Sequence, residues 1–510
     1  MKKLIGILIV TLLILTVIPA IGTMNVKIGI SKEFDNIPSY RRPLCFNPND
    51  PDFSLQWHLD NTGQSNPYSG AGIQDCDIDA PEAWEIETGS SDIIIAIIDC
   101  GVDYNHPDLA DNMWINEDEI PDNELDDDNN DYVDDIHGWN FLDDNNEVKD
   151  IAGHGTGCAG VAAAVTDNGV GIAGVCWNCK IMAVIADTGF DDCPEEAVAE
   201  GIRYAADNGA GVISMSIGVY KDSDLVEDAV DYAYNKGIVL VGAAGNEGRS
   251  SKLYPAGYEN VIAVGATNNT DGKMDVVRWG FIHGVSNYGD WVDIAAPGVD
   301  IYVTLPTYRV DYNDILGVSQ NYDYMSGTSF SCPQVSGLAA LLISKNPTLT
   351  PDQIKTIICS NVDSYNSDVY IGTGRVNAFK ALTAPNIPSK PAGPSSGKVG
   401  EQRTFTTSTT DDENDQLFYR WDWGDGDVSE WMGPYESGET CEALYTWEKE
   451  TTYNITVKAK DVNEGTSDWS ESLPFSVPKM KDKPYLHTPF QKFLKVHPNL
   501  FPLVWQLLGL

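Results

Sequence analysis

Ile93-Ile94-Ile95-Ala96-Ile97-Ile98-Asp99-Cys100-Gly101 decides the fold. An unbroken apolar run closed by an aspartate and a glycine has the pattern of a buried strand, as in the middle of a parallel sheet. Val212-Ile213-Ser214-Met215-Ser216 and Ile238-Val239-Leu240-Val241 repeat it. Between these runs, Glu195 to Asn208 and Leu225 to Asn235 have helical spacing and stop at Gly209 and Gly237, which suit helix C-caps. The alternation holds from about Asp50 to Leu382 and predicts an α/β domain with a mostly parallel sheet flanked by helices. Asp99 then falls at the carboxyl end of a central strand, where open sheets of this class place their sites.

The pattern changes at residue 385. Pro385, Pro388, Pro391 and Pro394, with Ser and Gly around them, read as a linker over 385–399. From 400 to 478, period-two alternation rich in Thr, Tyr and Trp predicts a small β-sandwich, as in Tyr453-Asn454-Ile455-Thr456-Val457-Lys458-Ala459. Residues 479–510 form a tail, basic and broken by prolines, whose final apolar run is too short to span a bilayer. At the other end, Lys2 and Lys3 precede an apolar run from Leu4 to Ile18 and then Pro19-Ala20-Ile21-Gly22. That is the layout of a secretory signal peptide over 1–22. Residues 23–49 make a short extension or pro-segment before a main domain over 50–384. The chain is therefore expected outside the cell or at its surface.

Of 510 residues, 76 are acidic and 32 basic, a formal net charge of −44. A field of that sign repels nucleic acid and anionic lipid, so no nucleic-acid partner is expected. The 42% hydrophobic content and 13 Trp supply surface for real cores. Ten cysteines in an exported chain are available for disulfides. Cys176 and Cys179, with Cys193 nearby, have the spacing of a disulfide or of part of a metal site, and Cys45 and Cys76 are a second possible pair.

Acyl transfer to a hydroxyl needs a nucleophile, a base to take its proton, an acid to orient the base, and donors for the oxyanion. Asp99 ends the first strand, and read alone it is a turn or capping aspartate. Gly153-His154-Gly155-Thr156-Gly157-Cys158 sets one of only seven histidines among glycines at the start of a small-residue helix. Met325-Ser326-Gly327-Thr328-Ser329-Phe330-Ser331-Cys332-Pro333 puts a serine at a glycine-preceded helix start, near the positive end of the helix dipole. Its plain reading is an N-cap. Gly242-Ala243-Ala244-Gly245-Asn246-Glu247 places an asparagine amide after a strand end, where it is either a carbonyl donor or a turn residue.

Together these four segments resemble the subtilisin-like serine proteases, or subtilases, and in particular their thermitase-like branch, over about Asp50 to Leu382. The order Asp, His, Asn, Ser is the family's own, and Gly201 to Gly209 and Tyr234 to Gly237 also match. The resemblance implies a subtilisin-like fold and a secreted, monomeric endopeptidase that cleaves polypeptides through an acyl-enzyme. It implies Ser329 as nucleophile, His154 as base and then acid, Asp99 as its orienter, and Asn246 as an oxyanion donor. Ser214, Ile217 and Gly218 match the strand that pairs with substrate backbone, with Ala244 and Gly245 on the other wall of the first specificity pocket. Tyr254-Pro255-Ala256 matches a stretch near that pocket.

The chain also departs from the family. Gly157 stands where a second histidine is usual, Phe330-Ser331 replaces Met-Ala, Gln334 replaces a histidine, and Cys100 follows Asp99. None of these removes a catalytic group. Cys100, Cys158 and Cys332 sit close in sequence to the three catalytic positions, either as small buried fillers or as thiols that make the enzyme sensitive to mercurials and oxidation. The stretch 23–49 is short for the folded pro-segment common in the family.

Glu124 to Asp135 is a dense run of oxygen ligands. Asp126, Asp128 and Asn130 have the alternating spacing of a calcium loop, but Asp131 and His137 stand where an EF-hand needs glycine and glutamate. Asn140, Asp143 and Asn145 resemble a calcium segment of the thermitase branch. Structural calcium is expected from the resemblance and no cofactor is needed for the chemistry; the plain alternative is a solvated acidic loop. Tyr419-Arg420-Trp421-Asp422-Trp423-Gly424-Asp425-Gly426 resembles the central motif of PKD-type Ig-like domains, which implies a spacer or a module for attachment to substrate or surface. Two rival readings are a catalytically idle copy of the fold used for binding, and a carboxylate-pair glycosidase.

Overall fold

The structure, a computed structural model, describes residues 46–190, 193–278, 282–479 and 496. The signal segment 1–22, most of 23–49 including Cys45, and nearly all of the tail 479–510 lie outside the described residues.

The run that opens at Ile93 forms β1 (Ile94–Asp99). The rest of the sheet is β2 (Gly138–Asn140), β3 (Lys180–Ile185), β4 (Val212–Met215), β5 (Val239–Ala243), β6 (Val261–Thr267), β7 (Ile294–Pro297), β8 (Val362–Asp363) and β9 (Arg375–Val376). These nine strands lie in the order β8-β9-β7-β6-β5-β4-β1-β3-β2. All neighbours are parallel except the β8–β9 edge pair. β1 is an interior strand, and its alternation sorts its side chains between two cores. Ile95 and Ile97 pack with α1 (His154–Ala163) and α5 (Thr328–Lys345). Ala96 and Ile98 pack with α2 (Glu195–Asp207) and α3 (Asp224–Asn235). Burial on both faces explains the absence of polar residues before Asp99: each isoleucine removed from water stabilises by about 2 kcal/mol.

Helix α5 is buried on every side from Thr328 to Leu342, so its sequence shows no polar face. Helices α2 and α3 lie on the surface and show one, with acidic residues in their first turns that favour the helix dipole. A short α4 (Asp311–Ile315) rises between the paired strands Ile301–Leu305 and Asn321–Met325. Among the described residues no helix is long and apolar enough to cross a membrane.

The second module pairs β10 (Arg403–Thr407) with β13 (Cys441–Tyr445), facing an antiparallel sheet in the order β12-β11-β14-β15. These four strands are Leu417–Asp422 (β11), Met432–Tyr435 (β12), Thr452–Lys460 (β14) and Leu473–Ser476 (β15). Its core is aromatic: Phe405, Tyr419, Trp421, Trp447 and Phe475 are buried. The proline-rich stretch is pinned along this module rather than free. Asn386, Ser389 and Gly397 donate backbone bonds to Thr410, Ser408 and Ser476, and Ala392 exchanges two with Thr406. Prolines cost such an edge little, because an edge residue facing water has no ladder partner to lose. The modules also grip each other. Lys345 Nζ reaches Glu413 at 3.1 Å, and Asn361 exchanges two hydrogen bonds with the Thr466 backbone at 2.6 and 3.0 Å.

Cys176 and Cys179 form a disulfide, while the Cys76 thiol donates to Asp271 Oδ2 at 3.0 Å. His58 lies fully buried between Trp57 and Leu59 with neither ring nitrogen hydrogen-bonded among the described residues. Desolvation pushes its pKa down to about 3. The folded state therefore refuses a proton that the unfolded chain accepts below about pH 6.5. Stability is full above that pH and is lost steadily as pH falls toward 3, by about 1.4 kcal/mol per unit. We expect His58→Leu to flatten the acid side of a melting-temperature profile between pH 6.5 and 4.5; parallel profiles for both proteins would contradict this.

Candidate active site

The parallel register brings the carboxyl ends of β1, β4 and β5 to one edge of the sheet, and the helix starts carrying His154 and Ser329 meet them there. Asp99 is fully buried, and His154 Nδ1 lies 2.8 and 2.9 Å from its two carboxylate oxygens. Burial works against charge on both partners, yet their mutual attraction prevails. It holds the Asp99 carboxyl below its ordinary range and raises His154 well above the usual imidazole value.

Glycine makes this approach possible. A Cβ on Gly155 would sit 2.1 Å from the Gly101 carbonyl oxygen and 3.1 Å from Asp99 Cβ, so any side chain there would drive α1 off β1. Asp150 fixes the start of α1: its carboxylate accepts from the Ala152, Gly153 and Thr156 amides at 3.0, 2.6 and 2.8 Å and from Thr156 Oγ1. The sequence reading missed Asp150; its position just before the glycine-flanked histidine was the available signal.

Ser329 is the second residue of α5 and nearly buried, with its Oγ 3.4 Å from the Ser216 carbonyl. Pro333, four residues on, has no N–H to offer the Ser329 carbonyl. Ser216 Oγ at 2.8 Å and Cys158 Sγ at 3.4 Å donate to that carbonyl instead. The helix break that proline would cause is thereby converted into a brace around the serine. Ser216 lies inside the stretch Ser214 to Gly218 that the sequence matched to the substrate-pairing strand, but its brace on Ser329 was not foreseen: β4 ends at Met215, so Ser216 leaves the sheet at its open edge. Ser214, still inside the sheet, faces α5, where its Oγ accepts from Ser336 at 2.9 Å. Ser214 therefore does not line the cleft, whereas Ile217 and Gly218 do.

Asn246 follows β5, and its Oδ1 accepts from Thr328 N at 2.8 Å and Thr328 Oγ1 at 3.1 Å. With the oxygen committed, the amide nitrogen is left for the cleft. Gly327 stands at φ 154°, a conformation that residues with a side chain rarely adopt, although a Cβ there would meet Asn246 Nδ2 at an ordinary contact distance of 3.5 Å. Thr328, which also accepts from the Gly245 amide at 3.0 Å, is a further residue the sequence did not single out.

Asn246, Ser329, His154, Ile217, Gly218 and the rings of Phe330 and Tyr312 line one cleft of about 380 Å³. Beside it a pocket of about 270 Å³ is walled by Ser216 to Tyr220 on one side and by Ala243, Gly245 and Glu247 on the other. Ala244 lies behind that wall, buried, its carbonyl accepting from Asn287 at 2.7 Å. Tyr254 exchanges two backbone bonds with Val219 and borders an apolar hollow on the far side of Ile217. Cys158 lies 3.9 Å from His154 Nδ1, Cys100 donates to Asp150 at 3.2 Å, and Cys332 lies beneath Ser214. All three are buried, and desolvation pushes their thiols up, so they are packed as protonated fillers.

The acidic loops separate into groups. Glu119, Asp128 and Asp135 place ligand oxygens within 4.8 Å of one another, with Asn116 and Asn130 amides on Asp128 and Asp135. Glu119 was not foreseen, being five residues upstream of the dense run. Desolvation and neighbouring Asp128 lift the Asp135 carboxyl to about 6 against its hydrogen bonds from Tyr204, Asn116 and Asn130. Asp126 lies on the outer side of this loop, accepting from the Asn130 and Asp131 amides. Asn140, Asp143 and Asn145 occupy the next loop, where the Asn140 and Asn145 side-chain oxygens accept from backbone amides. A third oxygen-rich corner joins Asp108, raised to about 6 by burial with Asp50 contributing, to Asn168.

Comparison with known proteins adds three results. A model of the subtilase family matches residues 90–390, and one of the PKD domain matches residues 389–472. Thermitase of Thermoactinomyces vulgaris is 39% identical over 338 residues, covering 66% of this chain and 99% of its own. A thermophilic serine proteinase of a Bacillus species is 40% identical over 302 residues, 59% of this chain and 64% of its own. Among solved structures, a protease from Pseudoalteromonas arctica superposes with a TM-score of 0.52 at 27% identity, covering 66% of this chain and 99% of that one.

Proposed function

Because this chain belongs to the subtilase family, whose members are serine endopeptidases, we propose that Asp99, His154 and Ser329 are its catalytic triad and Asn246 its oxyanion donor. Ser329 Oγ attacks the scissile carbonyl while the free nitrogen of His154 takes the proton. The negative oxygen is met by Asn246 Nδ2 and the Ser329 amide at the start of α5. His154 passes the proton to the leaving amine, and water then releases the acyl group by the same steps reversed. The substrate lies extended along Ser216 to Gly218, its side chain entering the pocket between that segment and Gly245. The observation that carries this reading is the Asp99–His154 pair in the same cleft as Ser329 and an asparagine whose oxygen is already engaged.

A fluorophosphonate probe tests it. Labelling should map by peptide mass spectrometry to Ser329 alone; failure of the processed protein to react would favour an idle copy of the fold. Asn246→Leu keeps the branched shape while removing the donor, together with the Oδ1 acceptor of Thr328, and should lower kcat by about 10²–10³ with KM little changed. An unchanged kcat would place the oxyanion elsewhere.

The proposal extends to export by the N-terminal segment, a monomeric enzyme, and attachment through the PKD domain. It also extends to calcium, a hard cation that takes oxygen ligands of the kind gathered here. Glu119, Asp128 and Asp135 would hold one ion, and calcium there would supply the positive charge that three facing carboxylates lack. Asp126, Asn130, Asn140, Asp143 and Asn145 are the remaining proposed ligands. Chelation should lower the melting temperature by roughly 5 °C. An Asp128→Asn, Asp135→Asn variant should show a smaller chelator response, and an equal one would remove this loop as a binding site.

A further inference from the structure

The outward face of the β11–β14 pair gathers positive charge in a module that is otherwise acidic. Of the five Lys and Arg between 401 and 478 (Arg403, Arg420, Lys449, Lys458 and Lys460), three stand on it. Strand alternation turns Leu417, Tyr419 and Trp421 inward, leaving Phe418 and Arg420 outward; on β14 it leaves Thr456, Lys458 and Lys460. The register sets Arg420 directly opposite Lys458, and Phe418 opposite Lys460. Like charges paired across strands destabilise a sheet. Desolvation, with Arg420 adding, holds Lys458 below the usual lysine value, and Asp468 offsets only part of this.

Among the described residues none of the three cations has a carboxylate at salt-bridge distance, although acids outnumber bases throughout the chain. Their neighbours are indoles instead. Trp431 has Arg420, Lys458 and Lys460 at 5.8, 5.8 and 5.2 Å from its ring, and Trp469 has Lys458 at 5.2 Å. All five side chains remain partly exposed.

Resting on the proteolytic reading only in that the enzyme acts outside the cell, we propose that this face binds a carboxylated polysaccharide. Charge complementarity requires an anion. Three cations are fewer than the cluster that grips an anionic membrane. The −44 field of the whole chain opposes nucleic acid and polyuronate alike, so the choice between polyanions rests on the local contacts of this face. A polyuronate carries one carboxylate per sugar and presents flat, apolar C–H faces, and the two indoles match those faces as an acidic peptide backbone would not.

The test uses the full-length enzyme and an Arg420→Gln, Lys458→Gln, Lys460→Gln variant on immobilised polygalacturonate, neutral dextran and poly-glutamate. The wild type should be retained by polygalacturonate and not by dextran, with retention falling as salt rises. The triple variant should bind about tenfold more weakly, as the loss of three exposed ion pairs gives. Trp431→Ala, which leaves the charges in place, should also weaken retention. Near-ultraviolet circular dichroism of each variant reports its fold, and casein hydrolysis should be unchanged, which separates failure here from failure of the peptidase reading. No retention of the wild type, equal retention of the triple variant, or stronger binding to poly-glutamate than to polygalacturonate would each overturn the proposal.

Discussion

Ser329→Ala protein should fold, melt within a degree or two of the wild type, and hydrolyse casein slower by a factor on the order of 10⁶. The side chain is small, and its one hydrogen bond, to the Ser216 carbonyl, is long at 3.4 Å. Little stability therefore depends on the hydroxyl. The braces on the Ser329 carbonyl from Ser216 and Cys158 belong to the backbone and survive the change. Chemistry has no such reserve, since the neighbouring hydroxyls are engaged elsewhere, Thr328 Oγ1 with Asn246 and Gly245 and Ser216 Oγ with the Ser329 carbonyl. What remains is the rate that an intact oxyanion site and a bound substrate give to water. Purified variant with more than a thousandth of wild-type kcat, free of contaminating protease, would exclude Ser329 as the nucleophile.

Asp99→Asn should lower kcat by about 10⁴ near neutral pH while leaving KM close to the wild-type value. Asp99 accepts from His154 Nδ1 and from the Cys100 amide, and Cys100 Sγ is committed to Asp150. An amide in its place keeps the shape but turns one acceptor into a donor. The imidazole then places its proton on the nitrogen facing Ser329, the wrong tautomer for a base. The same substitution removes the charge that holds His154 above its ordinary value, so the imidazolium formed during attack loses its counter-ion. A pH profile of kcat/KM whose acid limb does not move in Asp99→Asn would contradict this account.

Much of the fold was legible because β1 is buried on both faces and its sequence has no choice but to be apolar. The same reasoning failed for α5: a helix buried all round carries no periodic polar face, and only its glycine start and apolar content announced it. Asp99, His154, Asn246 and Ser329 stood out because each ends or closely follows a strand, or opens a helix, among glycines. Residues that act on these from behind carried weaker signals, Asp150 only its place just before the glycine-flanked histidine. Asp150, Thr328 and Ser216 matter through partners distant in the chain, such as Thr328 with Asn246, and only the folded sheet edge brings them together. Ser214 and Ser216 look alike in sequence; the end of β4 between them decides which one meets the cleft. The proline-rich stretch read as a linker because the prolines lack donors, whereas the residues between them, Asn386, Ser389, Ala392 and Gly397, donate the backbone bonds that pin it.

That pinned stretch, with Lys345 on Glu413 and Asn361 on Thr466, makes the passage between the two modules a strut and not a tether. An enzyme held to a matrix by its second module cannot sweep its cutting edge through a wide arc around the anchor. It has to let go and land again to reach fresh material, so the pace of digestion on a solid support is governed by how readily the grip is released.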